Sequence, residues 1–237
     1  MTTRVEKIHV LFGSQTGNSE QAAQDLCSQA ADRLSPEAIQ KLTGTKERIT
    51  VQPVCMQLDD FLELDRCAWT RLTVIITSSY GVGQAPLGGY RFRELCDAWL
   101  EDEAVGPVLS GFSYALCGLG DSKYTTFFKN PTRIDAGLQK VGAKRVGPLG
   151  KCDASGTGSN EQPQVIARWM DDIWKHLAQV VVEPPLEETK LVSAQAATVD
   201  LCRKINPDFL PEPQQNLSLW ALVVVVMAIL LALYFKN

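Results

Sequence analysis

Lys7 to Phe12 (KIHVLF) is an apolar run of strand length. The period then changes: Ala22, Ala23, Leu26, Cys27, Ala30 and Leu34 recur at helical spacing and predict a helix over Ser19 to Arg33. Asn18 and Gln21 have the form of a capping box at its start. Further strands are predicted at Ile49 to Val54, Leu72 to Ser78 (LTVIITS), Phe112 to Cys117 (FSYALC) and Arg145 to Leu149. The third is apolar nearly throughout, as a strand covered on both faces should be. Helices are predicted over Tyr90 to Leu100, from Asn130 and Pro131 to near Gly142, and over Gln164 to Val181. In the middle one, Asn130 reads as the cap, Pro131 as the first helical residue and Gly142 as a left-handed terminator. Strands alternating with helices predict an α/β fold with a doubly wound parallel sheet. Ligands in such sheets bind beyond the carboxyl ends of the strands, near the topological switch point.

This pattern occupies residues 1–182. From Glu183 to Asn216 it fades, and Pro184, Pro185, Pro207, Pro211 and Pro213 interrupt it. The segment reads as a linker, with room for a short helix around Leu191 to Val199. Leu217 to Phe235 (LSLWALVVVVMAILLALYF) then holds 19 residues without a charge. At about 1.5 Å per residue this nearly matches a hydrocarbon core of about 30 Å. Trp220 and Tyr234 stand near its ends, where amphipathic rings favour the interface. A buried core helix is the alternative, but such a run exceeds the usual core-helix pattern. Only Lys236 and Asn237 follow, so the expectation is a tail anchor inserted after synthesis, with the domain on the cytosolic side. The endoplasmic reticulum is the first expectation for the membrane; the outer mitochondrial membrane and the plastid envelope also receive such proteins. Met1 to His9 is polar and enters a strand at once, so no leader peptide is expected.

Composition narrows the chemistry. With a net charge of -4 nothing asks for nucleic acid, which would want a basic face. None of the seven cysteines forms a C-x-x-C pair, so neither a zinc site nor a dithiol centre is expected; reduced cytosolic thiols are. No metal constellation and no nucleophilic triad appears, and the lone His9 and His176 read as structural.

Three loops carry candidate chemistry. Gly13-Ser14-Gln15-Thr16-Gly17-Asn18-Ser19 joins a strand to a helix and would offer backbone N–H groups and hydroxyls to an anion. It contains no Lys or Arg, and it has neither the lysine of a triphosphate loop nor the G-x-G-x-x-G of a dinucleotide site. Ser78-Ser79-Tyr80-Gly81-Val82-Gly83-Gln84-Ala85-Pro86 and Gly118-Leu119-Gly120-Asp121-Ser122-Lys123-Tyr124 each place one tyrosine after a strand end. Two such rings can sandwich a flat heteroaromatic ring, and glycines beside them let the backbone approach its edge.

With these loops in view, FGSQTGNSE resembles the phosphate loop of flavodoxins, most of all that of the diflavin reductases. CGLGDSKYTTFFKNPTRIDAGLQKVGAKRVGPLGKCD resembles their third flavin loop and following helix, nearest to methionine synthase reductase and the microsomal NADPH-dependent reductases. The similarity covers about Lys7 to Trp174. It implies a flavodoxin-like, five-stranded sheet of order 2-1-3-4-5 and FMN as cofactor. It implies that Ser14 to Ser19 hold the FMN phosphate and that Tyr80 and Tyr124 flank the isoalloxazine. Gly81 would offer its carbonyl to flavin N5–H, and Asp153 matches an acidic position near the flavin. Further contacts are implied from Ser78, Ser79, Val82 and Gly83, and from Leu119, Gly120, Asp121, Lys123, Phe127 and Phe128. Where relatives carry acidic residues, Gln84, Ala85 and Pro86 stand here, and Lys123 adds a positive charge; both should ease formation of an anionic reduced flavin.

The resemblance implies a one-electron carrier with no catalytic residue of its own, and the run Leu217 to Phe235 would tether it to a membrane. A separate NAD(P)H- or ferredoxin-dependent reductase would load it, and a membrane-bound haem or metal oxidase would unload it. Asp59, Asp60, Glu63, Asp65, Glu94, Asp97, Glu101, Asp102 and Glu103 could dock a basic partner, or be no more than solvated helix faces. The alternatives are an FMN-dependent NAD(P)H:quinone-type oxidoreductase and a flavin-free membrane adaptor.

Overall fold

A computed structural model of the chain describes residues 3–64 and 69–208. Its strands are β1 (Thr3–Gly13), β2 (Arg48–Gln57), β3 (Leu72–Ser78), β4 (Ser113–Gly120), β5 (Lys144–Arg145) and β6 (Gly150–Asp153). Its helices are α1 (Asn18–Arg33), α2 (Pro36–Thr43), α3 (Leu58–Leu62), α4 (Tyr90–Glu101), α5 (Lys129–Lys140), α6 (Gln162–Val181) and α7 (Glu188–Ile205). All strands are parallel, in the order β2-β1-β3-β4-β5, with β6 also paired to β4. The expected fifth strand, Arg145 to Leu149, meets the sheet only at Arg145: residues 146–149, which include Gly147 at φ +68°, leave it, and pairing resumes beyond them in β6.

Alternation along the central strands sends side chains to two cores. Val10, Val74, Ile76, Ala115 and Cys117 pack under α1 and α6. Leu11, Ile75 and Leu116 face the other way, under α3, α4, α5 and α7. Both faces are covered, which is why these strands read as continuous apolar runs.

Four local expectations are corrected. The cap of α1 is Gly17 in the left-handed region with no side-chain cap bond; Asn18 instead donates to Gln162 Oε1 at 3.2 Å. The cap of α5 is Phe128 at φ +65°, and Asn130 is a fully buried residue inside the first turn. The fourth strand continues through Gly118, Leu119 and Gly120 before the third loop begins. Much of the expected linker is folded: α7 lies on the α4 face with Ala194, Gln195, Thr198 and Cys202 buried, and Trp69 Nε1 donates to Thr198 Oγ1 at 3.1 Å. Gly142, at φ +88°, does follow the end of α5 as a left-handed terminator. Asp65, Cys67 and the apolar run Leu217 to Phe235 lie outside the described residues. Among the described residues, no helix is long and apolar enough to cross a membrane.

Candidate functional site

The carboxyl ends of β1, β3 and β4 converge at one end of the molecule, and the loops after them enclose a cleft of about 370 Å³. Gln15, Thr16, Asn18 and Ser19 from the first loop line it. Gly17 turns the chain at φ +91°, a conformation L side chains rarely adopt, and its N–H donates to Ser14 Oγ at 3.0 Å. Ser14 thus shapes the loop without lining the cleft. Because α1 starts with no side-chain cap, its first-turn amides and its positive end are left for another acceptor. Ser19 is only 1% exposed, yet its hydroxyl has no partner among the described residues. A buried orphan hydroxyl beside an uncapped helix start fits a phosphate group, which would satisfy both.

The second loop contributes Ser78, Ser79, Tyr80 and Gly81 to the wall. Tyr80 and Gln84 exchange backbone hydrogen bonds of 3.0 and 2.8 Å, closing a tight turn in which Gly81 and Gly83 have φ +53° and +87°. The Gln84 backbone thus closes the turn, and Ala85 beside it is buried. Val82 points outward at 71% exposure, and Gly83 gives room to Lys129: a Cβ there would come within 2.6 Å of the lysine chain.

Leu119, Gly120, Asp121, Tyr124 and Phe127 line the third side. Tyr80 and Tyr124 are 48% and 62% exposed, so both rings are open to a flat ligand or to a partner. Phe128 does not reach the cleft wall; it is buried beneath Gly118, where a Cβ would lie 2.4 Å from its ring. Asp153 also stands behind the wall, accepting from Ser122 N and Ser155 N at 2.9 Å each. Hydrogen bonds from Ser122 hold its carboxyl below the usual range, and the Ser155 hydroxyl does the same for Asp121. Both stay anionic near the cleft. Lys123 lies outside the lining; its backbone N–H donates to Asp121 Oδ1 at 3.0 Å.

Three lining residues were not singled out from the sequence: Thr126, Ala154 and Gln162. Thr126 stands in the quoted third-loop motif and could have been suspected; its hydroxyl donates to the Gly81 carbonyl at 3.2 Å, tying the second loop to the third. Gln162, at the start of α6, bonds Asn18 and the Gly120 and Cys152 carbonyls, and nothing local marks it. Asn130 clamps the base: its N–H donates to Ser79 Oγ at 3.0 Å and its Nδ2 to the Ser78 carbonyl at 2.9 Å. Part of the acidic docking row is engaged elsewhere. Asp59 caps α4 by accepting from Tyr90 N and Phe92 N at 3.0 Å each, Glu63 pairs with Arg91, and Asp97 pairs with Arg93 and Arg133.

The family model described as Flavodoxin matches residues 10–169. Over 176 residues the chain is 29% identical to the sulfite reductase [NADPH] flavoprotein alpha-component of Thiocapsa roseopersicina, covering 73% of this chain and 28% of that one. It is 24% identical over 215 residues to the NADPH–cytochrome P450 reductase of Aspergillus niger, covering 87% and 28%. The chain thus spans about a quarter of the length of these relatives. The structure of a cysteine-to-serine mutant of flavodoxin from Pseudomonas aeruginosa aligns with 75% of this chain and 99% of its own at 20% identity and TM-score 0.46.

Proposed function

The chain belongs to the flavodoxin family, which makes FMN its cofactor, and on that premise we propose that it is a membrane-tethered carrier of single electrons. FMN supplies the chemistry when bound, taking up two electrons and releasing them one at a time. The residues present fit that group. The α1 amides and the Ser19 hydroxyl would take the phosphate, and Tyr80 and Tyr124 would stack on the ring. Thr126 holds the Gly81 carbonyl in place, Asn130 and Gln162 fasten the loops to the sheet, and Asp121 and Asp153 keep the surroundings anionic. The observation that carries the reading is one cleft combining an uncapped helix start, a buried orphan hydroxyl and two open tyrosines. Those open rings leave the ligand's edge accessible to another protein, which suits a carrier.

In this reading a separate NAD(P)H- or ferredoxin-dependent reductase loads the flavin, and a membrane-bound haem or metal oxidase receives the electrons. The uncharged run Leu217 to Phe235 supports a single anchor, with residues 3–208 facing the cytosol and the endoplasmic reticulum as the first membrane to examine. The test is the absorption spectrum of the purified chain before and after NADPH. Flavin bands that bleach only when a second reductase is added support the carrier. Bleaching by NADPH alone makes the protein an oxidoreductase in its own right, and absence of flavin bands makes it an adaptor. A form ending before Leu217 should still accept electrons from the reductase and lose most of its rate toward the membrane acceptor, because the tether acts by raising local concentration.

A further inference from the structure

Among the described residues six cysteines are free of disulfides, and their surroundings divide them. Cys96, Cys117, Cys152 and Cys202 are buried. Cys27 and Cys55 are half-buried, and both border the core beneath α1. The strand pattern brings these two together. Ile49, Val51 and Cys55 alternate onto the face of β2 that α1 covers, while Met56 turns to the other core. On α1, Glu20, Gln24 and Cys27 stand at i, i+4 and i+7, along one side of the buried stripe of Ala23, Leu26 and Ala30. That side meets β2: the Cys27 thiol donates a hydrogen bond to the Cys55 sulfur, and the Glu20 charge acts on Cys55 as well. β2 is the end strand of the sheet, paired to β1 alone, so the sheet does not continue past Cys55.

The hydrogen bond makes the two thiols unequal. Cys27 holds its proton more tightly than an ordinary thiol. Cys55 gives its own up more readily, because the donated bond outweighs both its partial burial and the Glu20 charge. Thiolate character, access to solvent and a second thiol within reach are what make a cysteine pair oxidisable. Another pair supplies the contrast. Cys117 Sγ and Cys152 Sγ are 3.5 Å apart across β4 and β6, but both residues are fully buried. That pair has the proximity and lacks the access.

We propose that Cys27 and Cys55 are a modification site for hydroperoxides, closing to a reversible disulfide that staples α1 to the edge of the sheet. In the first step the Cys55 thiolate attacks one peroxide oxygen. The O–O bond breaks, an S–OH group forms on Cys55, and the other oxygen leaves as an alcohol or water, taking up the proton the thiol had lost. In the second step the Cys27 sulfur attacks the Cys55 sulfur. The S–S bond forms, the S–O bond breaks, and the departing hydroxide takes the Cys27 proton as water. Two electrons pass from the two sulfurs to the peroxide, and an external dithiol restores both thiols by exchange. The closed loop contains α2, and it ties β2 to α1, whose first turn borders the cleft.

The test is peptide mapping of the full chain in detergent after treatment with hydrogen peroxide, the remaining thiols being blocked by an alkylating agent. A Cys27–Cys55 disulfide should form and should disappear with dithiothreitol, while Cys117 and Cys152 are recovered as thiols. Cys27→Ser keeps a hydroxyl donor for Cys55 but cannot close the bridge, so sulfenic acid should accumulate on Cys55 and be trapped by dimedone. Cys55→Ser should slow the reaction of peroxide at Cys27 by roughly tenfold or more. The oxidised wild type should melt about 5–10 °C above the reduced form, since a closed loop constrains the unfolded chain. No disulfide, a bridge from either cysteine to Cys67, or oxidation of Cys117 and Cys152 ahead of this pair overturns the proposal. Trapping on Cys27 instead of Cys55 overturns the order of attack, and an unchanged or lower melting temperature overturns the staple.

Discussion

Replacing Asn130 by Ala should loosen the cleft from beneath. The side chain is fully buried. Its Nδ2 donates to the Ser78 carbonyl at 2.9 Å and to Thr77 Oγ1 at 3.3 Å, and its Oδ1 accepts from Arg93 Nη1 at 3.1 Å. Truncation leaves the half-buried Ser78 carbonyl without this donor, a loss of about 1–3 kcal/mol. The hydroxyl of Thr77 loses a partner as well, while Arg93 keeps Asp97 at 2.8 Å. A total of about 3 kcal/mol follows, or a Tm lower by about 6–12 °C for a domain of this size. Asn130→Asp should do no better, because a carboxylate oxygen would then face the Ser78 carbonyl. The assay is thermal unfolding of the full chain in detergent by circular dichroism, alongside FMN affinity from quenching of flavin fluorescence. Affinity should also fall, since Ser79, Tyr80 and the second loop depend on this clamp. A Tm within about 1 °C of wild type, equivalent to a few tenths of a kcal/mol, would refute the reasoning, because the buried bonds would then carry no net energy.

Tyr80→Ala and Tyr124→Ala should each weaken FMN by about 1–3 kcal/mol, roughly 5- to 150-fold, judged from base stacking on aromatic residues; unchanged affinity in both would refute their role. Ser19→Ala should weaken FMN by roughly tenfold while leaving riboflavin unaffected, because only the phosphate loses a partner; equal losses for both ligands would place Ser19 elsewhere. Burial, with some help from Lys7, lowers the His9 pKa from 6.5 to about 4, so the folded state keeps the ring neutral. Only the unfolded chain gains the proton as pH falls below about 6.5, so this group's contribution is lost progressively between about pH 6.5 and 4 and reaches about 3 kcal/mol. In urea unfolding across that range, His9→Phe should show a shallower acid slope than wild type; parallel slopes would remove His9 as the cause.

Much of this protein could be read without coordinates, and the reason lies in how its sheet is covered. Strands buried on both faces carry runs such as VIIT, and helices covered on one face repeat at 3.6 residues, so periodicity alone placed the central elements. The three loops were legible too, since a parallel sheet must gather its carboxyl ends and their Gly, Ser and Tyr residues stand out there. Where the sequence misled, distant partners overrode local preference. Asn18 and Asn130 are ordinary helix-capping types, but Gln162, 144 residues from the first, and Ser78, 52 from the second, claim their side chains. Gly118 and Gly120 looked like loop because glycine discourages strands, yet a side chain at either would collide with Phe128 or Phe127, so glycine is what the packed strand requires. The buried stripe of α7 consists of Ala194, Gln195, Thr198 and Cys202, small or polar residues with little periodic signal. They suffice only because Trp69 and α4 present a surface made for them. That contact turns an apparent linker into part of the fold, which periodicity cannot record because the contact joins residues far apart in the sequence.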